Sequence, residues 1–293
     1  MRYVLENDTL RVEIDSFGAE LKSVKRKSDD KEYMWYADKK YWGRTSPVLF
    51  PFVGNCRNKE YRYGGKTYAI GQHGFARDME HTMESRTEDT IWFSLHSNEE
   101  TMEKYPFAFV LKIGYNLTGN ELKVMWKVEN PDTKTLYFSI GAHPAFLCPF
   151  NGEESKLGYG LQLAGLKEVH HHGNTPDTGL AVMSEDIVIP LEDEKVYFTP
   201  GFFDRCTYMV EGKQTGEVSL VTPDGKPYVT MDFDAPLFAI WSPEGKDAPF
   251  VCIEPWYGRC DADDFEGTLE ERAYENAVEP EQAFEASYSI RYL

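Results

Sequence analysis

Leu122-Lys123-Val124-Met125-Trp126-Lys127-Val128 sets a large apolar side chain at every second position, starting from Leu122. In an extended chain successive side chains point to opposite faces, so this spacing makes one continuous apolar face and reads as a half-buried strand. Just before it, Gly119-Asn120 separates Glu121-to-Glu129 from the Phe109-to-Leu117 run. Both residues tolerate the positive φ of a tight hairpin turn, which predicts two antiparallel neighbours.

The same signature recurs along the chain. Leu10-Arg11-Val12-Glu13-Ile14-Asp15 alternates in the same way, and Gly64-Gly65 divides Tyr61-Arg62-Tyr63 from Lys66-Thr67-Tyr68. Pro223-Asp224-Gly225 forms a further turn signal before Tyr228-Val229-Thr230-Met231-Asp232. Short alternating runs broken by turn residues roughly every 8–12 positions predict an all-β, antiparallel protein of two packed sheets. Helical signals are confined to Ser97-to-Lys104 and Thr268-to-Ala273, too short to organise a fold. No Pro/Ser/Gly-rich linker interrupts the chain and no short repeat period is visible, so residues 1–293 are expected to form a single domain.

Bulk composition narrows the function. The chain has 18 Tyr, 18 Phe and 6 Trp, residues that suit sheet surfaces and also make flat walls on which sugar rings stack. A formal net charge of −18 repels polyanions, so neither nucleic acid nor an anionic membrane is an expected partner. A small anion remains compatible with that field, because salt screens it beyond about 10 Å. The charged start Met1-Arg2-Tyr3-Val4-Leu5-Glu6 does not read as a signal peptide, and no run reaches the roughly 18 apolar residues of a membrane span, so a cytoplasmic protein is expected. Cys56, Cys148, Cys206, Cys252 and Cys260 are scattered without paired spacing, which fits reduced thiols rather than disulfides or a zinc site. Nothing demands more than a monomer or weak dimer.

Four segments depart from the alternation and gather special residues. They are Trp42-Gly43-Arg44 through Gly54-Asn55, Gln72-His73-Gly74-Phe75-Ala76-Arg77-Asp78, Gly141-Ala142-His143-Pro144-Ala145-Phe146, and Cys252-Ile253-Glu254-Pro255-Trp256-Tyr257-Gly258. Pro144 holds His143 extended at a strand end, presenting a side chain that can give or take a proton near neutral pH. A satisfied core histidine is the plainer account. Glu254 stands among apolar neighbours, where desolvation raises a carboxyl pKa towards the range of a general acid or base. A hydrogen bond to backbone or to Arg259 is the plainer account there. Gln72, His73 and Arg77, with Arg44 and Arg57 able to join them, suit hydroxyls or an anion, while a surface pairing of Arg77 with Asp78 or Glu80 is the plainer account. His170-His171-His172 reads as a loop without a metal, because adjacent side chains diverge. Asp261-Asp263-Asp264 lacks the glycine and terminal glutamate of a calcium loop and reads as a solvated acidic turn. No GxSxG, phosphate loop or dinucleotide fingerprint occurs.

Taken together with Pro47-Val48-Leu49-Phe50-Pro51-Phe52-Val53-Gly54 and Gly18-Ala19-Glu20-Leu21, these segments resemble the aldose 1-epimerase (mutarotase) family, and within it the LacX-like branch. The resemblance runs to the last strand near Phe284-to-Tyr292. It implies a galactose-mutarotase-like β-supersandwich, an isomerase with no cofactor and no metal, and a small sugar as substrate. The family's catalytic histidine falls on His143 and its catalytic glutamate on Glu254. A sugar-contacting aspartate falls near Asp204. The hexose-6-phosphate epimerase branch implies roles for Arg44, Gln72 and Arg77, and the galactose branch has an Asn-Arg pair that leaves its arginine open between Arg57 and Arg44. That branch's Leu-His-Gly histidine becomes His73 in Gln-His-Gly. Three readings therefore stand: an epimerase interconverting hexose anomers, a hexose-6-phosphate 1-epimerase, and a non-catalytic carbohydrate-binding protein on the same fold. A glycoside hydrolase would need a second carboxylate flanking the bond, for which Asp204 is a remote candidate.

Overall fold

In the computed structural model, which describes residues 1–293, the deciding run lies at the centre of a nine-stranded antiparallel sheet. Glu121–Glu129 pairs on one side with Val110–Thr118 and on the other with Ala283–Tyr292. The register sets Val124 between Tyr115 and Tyr288, and Trp126 between Ile113 and Ala286. Leu122, Val124, Trp126 and Val128 are buried, while Lys123 is exposed, as a period of two requires. The Gly119-Asn120 turn closes this hairpin, with Gly119 at φ 56°.

A second large sheet faces the first. Its order runs Ala181–Pro190, Glu168–Asn174, Tyr208–Glu211, Leu237–Trp241, Phe250–Tyr257, Ile140–Ala142 and Val48–Leu49, with Ala145–Leu147 also paired to Phe250–Tyr257. Trp126 and Phe284 of the nine-stranded sheet meet Tyr257 of this one at ring-centroid distances of 6.3 and 5.3 Å. The apolar cluster between the sheets holds 60 buried residues, from Leu5 to Tyr292. A four-stranded sheet from Arg2 to Glu32, the hairpin Glu60–Tyr63 with Lys66–Ala69, and a long-range pair of Leu136–Phe138 with Asn276–Val278 complete the strands.

Both short helical signals are present, unequally. Glu99–Lys104 is an α-helix capped by Asn98, whose side chain accepts from the Thr101 N–H while the Thr101 hydroxyl accepts from the Asn98 N–H. The second is only a 3₁₀ turn, Leu269–Glu271. No helix is long and apolar enough to cross a membrane. All five cysteines are buried and unpaired.

Two expectations are corrected. His170-His171-His172 is not a loop: it lies within Glu168–Asn174, hydrogen-bonded between two neighbouring strands. Its side chains do diverge. His171 is buried against Tyr208, His170 Nδ1 lies 2.8 Å from Asp186, and His172 Nδ1 lies 2.8 Å from the Glu185 carbonyl. Asp261 is not solvated either, being buried 2.7 Å from the Arg272 guanidinium and accepting from the Arg57 N–H.

Phe138 joins the layers by packing between Phe50 and Phe284 at 5.7 and 5.4 Å. Phe138→Ala is expected to cost about 3–5 kcal/mol, as for other buried aromatics. Phe17, 47% exposed, serves as the control, and its change to Ala should stay within about 0.5 kcal/mol. Urea unfolding of the two variants measures the contrast.

Candidate active site

Phe250–Tyr257 alternates between two different surroundings. Val251 and Ile253 join the core between the sheets, whereas Phe250, Cys252, Glu254 and Trp256 share the opposite face. Two short strands pair along one edge of it, Ile140–Ala142 at one end (Gly141 opposite Trp256) and Ala145–Leu147 at the other (Ala145 opposite Cys252). The two pairings keep one register, which sets His143 opposite Glu254. Pro144, which has no N–H, interrupts the ladder between the two short strands without shifting it. The result is an imidazole beside a carboxyl group, with His143 Nε2 3.4 Å from Glu254 Oε2.

Tryptophans fix the imidazole plane. Trp42 stacks on His143 at 4.6 Å and 25°, and Trp241 meets it edge-on at 5.3 Å and 84°. Trp42 is itself held, since its carbonyl accepts from the Trp35 indole, and nearby the Thr45 carbonyl accepts from the Ala145 N–H. The Glu20 carboxylate takes the N–H groups of Thr45 and Ser46 at 2.7 and 2.9 Å. His143 is 7% exposed and Glu254 1% exposed. Burial pushes the His143 imidazole down to about 3, assisted by the nearby Arg77 and Arg44 charges. Burial likewise pushes the Glu254 carboxyl well above its ordinary range, with the Trp256 indole acting in the opposite direction. Desolvation outweighs mutual attraction, and the pair is a neutral acid beside a neutral base. His143 Nδ1, Glu254 Oε2 and Trp256 Nε1 are buried without a hydrogen-bond partner in the protein, so their polar capacity is available to a ligand.

The Gln72-to-Asp78 segment supplies the facing wall. His73 at φ 62° donates its N–H to the Gly54 carbonyl at 2.8 Å, and its Nδ1 accepts from the Gly54 N–H at 3.0 Å. That second bond leaves Nε2 as the protonated nitrogen of a neutral ring, and burial next to Arg77 keeps His73 uncharged. Gly74, at φ 67°, has no room for a side chain, since a Cβ there would lie 2.3 Å from the Phe50 carbonyl oxygen. Arg77 is mostly buried and donates to the Gln72 carbonyl, and burial with the neighbouring Arg44 lowers its pKa to about 10. Asp78 lies between the two, 2.8 Å from Arg44 and 3.7 Å from Arg77.

These groups enclose a cavity of about 430 Å³. Of the residues singled out in the sequence, His143, Glu254, Gln72, His73 and Arg77 line it, and Arg44 stands behind Arg77. Arg57 does not, because it bonds the Phe265 carbonyl and Glu266 in a separate polar pocket. Asp204 also lies apart, accepting from the Gly245 N–H beside Phe202 and Phe203. Arg259 is engaged with Glu211 at 2.8 Å and leaves Glu254 free. Sequence reasoning missed Trp241 and the Asn174-to-Gly179 wall, where Asn55 donates to the Thr178 carbonyl. Trp42 opens the Trp42-Gly43-Arg44 segment, but its stacking on His143 is a long-range contact with no local signature. Cys252 brings its sulfur within 4.8 Å of the His143 and Glu254 ligand atoms, so these three residues are the ones placed to hold a metal ion.

Comparison with known proteins identifies the family and the fold. The sequence matches the aldose 1-epimerase family over residues 1–261. It is 30% identical over 300 residues to the chromosomal LacX protein of Lactococcus lactis subsp. lactis, covering 100% of both chains. A galactose mutarotase related enzyme from Lactobacillus acidophilus superposes with a TM-score of 0.94 at 36% identity, covering 100% of this chain and 97% of that one. A galactose mutarotase-like protein from Lactobacillus casei gives 0.91 at 30% identity, with 100% of each chain covered. The fold is thus the galactose-mutarotase-like sandwich of antiparallel sheets, and the chain belongs to the aldose 1-epimerase family.

Proposed function

We propose that this cavity interconverts the α and β anomers of an aldose, with His143 and Glu254 as the proton-transfer pair. The observation that carries the reading is the 3.4 Å approach of His143 Nε2 to Glu254 Oε2 at the floor of a cavity walled by tryptophan. Mutarotation moves one proton off the anomeric hydroxyl and another onto the ring oxygen. A pair that shares one proton performs both transfers. With that proton on His143, Glu254 takes the O1 proton while His143 protonates the ring oxygen and the C1–O5 bond breaks. The aldehyde is then bound beside a protonated Glu254 and a neutral His143, the distribution that burial favours. Rotation about C1–C2 presents the other carbonyl face, and closure reverses both transfers. Each positioned group typically contributes ~10²–10⁴-fold.

Trp42, Trp241 and Trp256 offer apolar walls to the sugar ring, and Gln72, the His73 Nε2–H and Arg77 offer donors and an amide to its hydroxyls. The adjacent Arg77 and Arg44 support a second reading, a sugar carrying a phosphate, although Asp78 offsets one of their two charges. Exchange NMR on glucose, galactose and their 6-phosphates decides between the readings by which sugars show accelerated anomer exchange. Calorimetric binding without accelerated exchange of any of them would instead identify a carbohydrate-binding protein.

Glu254→Gln and His143→Asn are each expected to lower anomer exchange by at least ~10²-fold with the fold retained, measured by polarimetry. A near-normal rate in either variant removes that residue from the mechanism. Glu254→Gln also has a stability signature. The folded-state pKa of Glu254 is raised, so the stabilisation it allows is complete below its unfolded value of 4.5 and is lost as pH rises through the folded value. The variant lacks this loss. Its melting temperature relative to wild type should therefore climb as pH rises above the ordinary carboxyl value of 4.5.

The pH dependence of kcat/KM follows from the same two shifts. His143, lowered to about 3, takes up a second proton only in strong acid, and Glu254, raised, keeps the shared proton to higher pH. The rate should hold steady as pH falls from 7 to about 5 and decline on the alkaline side. An acid limb centred near 6.5, the ordinary histidine value, would contradict the buried neutral pair.

A further inference from the structure

Glu254 is preceded on its strand by a thiol that faces the same way. Cys252 lies two residues earlier, and the ligand atoms of Cys252, His143 and Glu254 all lie within 4.8 Å of one another. We propose that these three side chains form a binding site for a soft divalent cation of the zinc class, and that filling it stops the proton-transfer pair. The site stands independently of the mutarotase reading; the stopping of turnover rests on it.

The donor set is an imidazole nitrogen, a thiolate sulfur and a carboxylate oxygen, a combination that suits zinc and cadmium and is foreign to magnesium or calcium. Zinc–nitrogen and zinc–oxygen bonds of about 2.0–2.2 Å at a tetrahedral angle span an edge of roughly 3.4 Å. The observed separation of His143 Nε2 and Glu254 Oε2 is 3.4 Å. The sulfur has to close by roughly 1 Å to complete the face. Glu254, 1% exposed, keeps Oε2 without a hydrogen-bond partner, so it has a free lone pair to give. Three protein ligands leave the fourth position towards the cavity, through which the ion enters because His143 and Glu254 line it.

Charge selects the same class of ion. Thiolate and carboxylate together neutralise a dication, so the buried complex carries no net charge. Binding releases the thiol proton and the carboxyl proton to solvent while the imidazole contributes its lone pair. Nearby Arg77 and Arg44 repel cations, which leaves no electrostatic reward for a hard ion and makes affinity depend on directed bonds to nitrogen and sulfur. Trp35, Ala248 and Phe250 pack around Cys252, a dry setting that strengthens such bonds.

The test uses the full chain with zinc chloride or cobalt chloride, as wild type, Cys252→Ala, Cys252→Ser and His143→Asn. Cobalt is expected to give a thiolate charge-transfer band in the near ultraviolet with wild type, absent in Cys252→Ala and in His143→Asn. Zinc is expected to inhibit wild-type anomer exchange at micromolar concentration, whereas magnesium and calcium leave it unchanged. Cys252→Ala should keep its basal rate and weaken zinc inhibition by more than the ~10–100-fold that loss of a supporting group costs. If Cys252→Ala does not fold, Cys252→Ser carries the same comparison. Absence of the cobalt band, or equal zinc inhibition in the cysteine variants, overturns the site. A band accompanied by undiminished exchange overturns the inhibitory role alone. Because the band needs no turnover, a protein without mutarotase activity still decides the question of the site.

Discussion

Desolvation of a single carboxyl group organises this molecule's chemistry. Phe250–Tyr257 is buried along nearly its whole length, as a strand inside a sandwich has to be, and Glu254 occupies its middle. An ionised carboxylate there would need a cation in contact, yet the nearest arginine in sequence, Arg259, is committed to Glu211. The acid stays neutral instead. The neighbour that continuous strand register places opposite it, His143, is neutral for the same reason. Sheet geometry thus brings two titratable groups together, and burial keeps one proton between them.

Most of the surrounding structure holds that pair at a fixed geometry. Pro144 removes one ladder hydrogen bond and frees His143 from the sheet edge, and Trp42 and Trp241 then limit its ring to one orientation. Glu20, Trp35 and Ala145 tie down the segment that carries Trp42. On the opposite wall a positive φ at His73 and at Gly74 turns the chain so that its backbone sits against Phe50 and the imidazole reaches the Gly54 N–H. Left-handed conformations and buried polar atoms both oppose stability. Their concentration around one cavity, within a core of aromatic packing, is what a site selected for chemistry over stability looks like.

The sandwich could be read from sequence because period-two alternation is local. Leu122 to Val128 state their own conformation, and Gly119-Asn120 state the turn before it. His143 and Glu254 were visible for a related reason: Pro144 and the apolar residues flanking Glu254 are sequence neighbours whose effects act within a few positions. Arg57 and Asp204 were not placed correctly, because a guanidinium or carboxylate reaches whichever partner the tertiary fold supplies. Arg57 finds Glu266 and Asp204 finds the Gly245 N–H, contacts 209 and 41 residues away in the chain. The His170-to-His172 run failed differently. Its strand is held by main-chain bonds to both neighbours, and histidine side chains carry little β signal of their own.

The local charge of the cavity differs from that of the whole molecule. The chain carries −18, but at the proton-transfer pair Glu254, His143 and His73 are all held neutral, and the charges nearby are Arg77 and Arg44 with Asp78 on one wall and Asp177 and Glu244 on the cavity lining. Beyond about 10 Å salt screens the general negative field, so a ligand in the cavity experiences mainly the nearby groups. A neutral sugar meets donors, aromatic faces and, at the rim, the carboxyl groups of Asp177 and Glu244. The proton the sugar gives up goes to Glu254 and the proton it receives comes from His143, so turnover ends with no net charge moved into or out of a site where charge is costly.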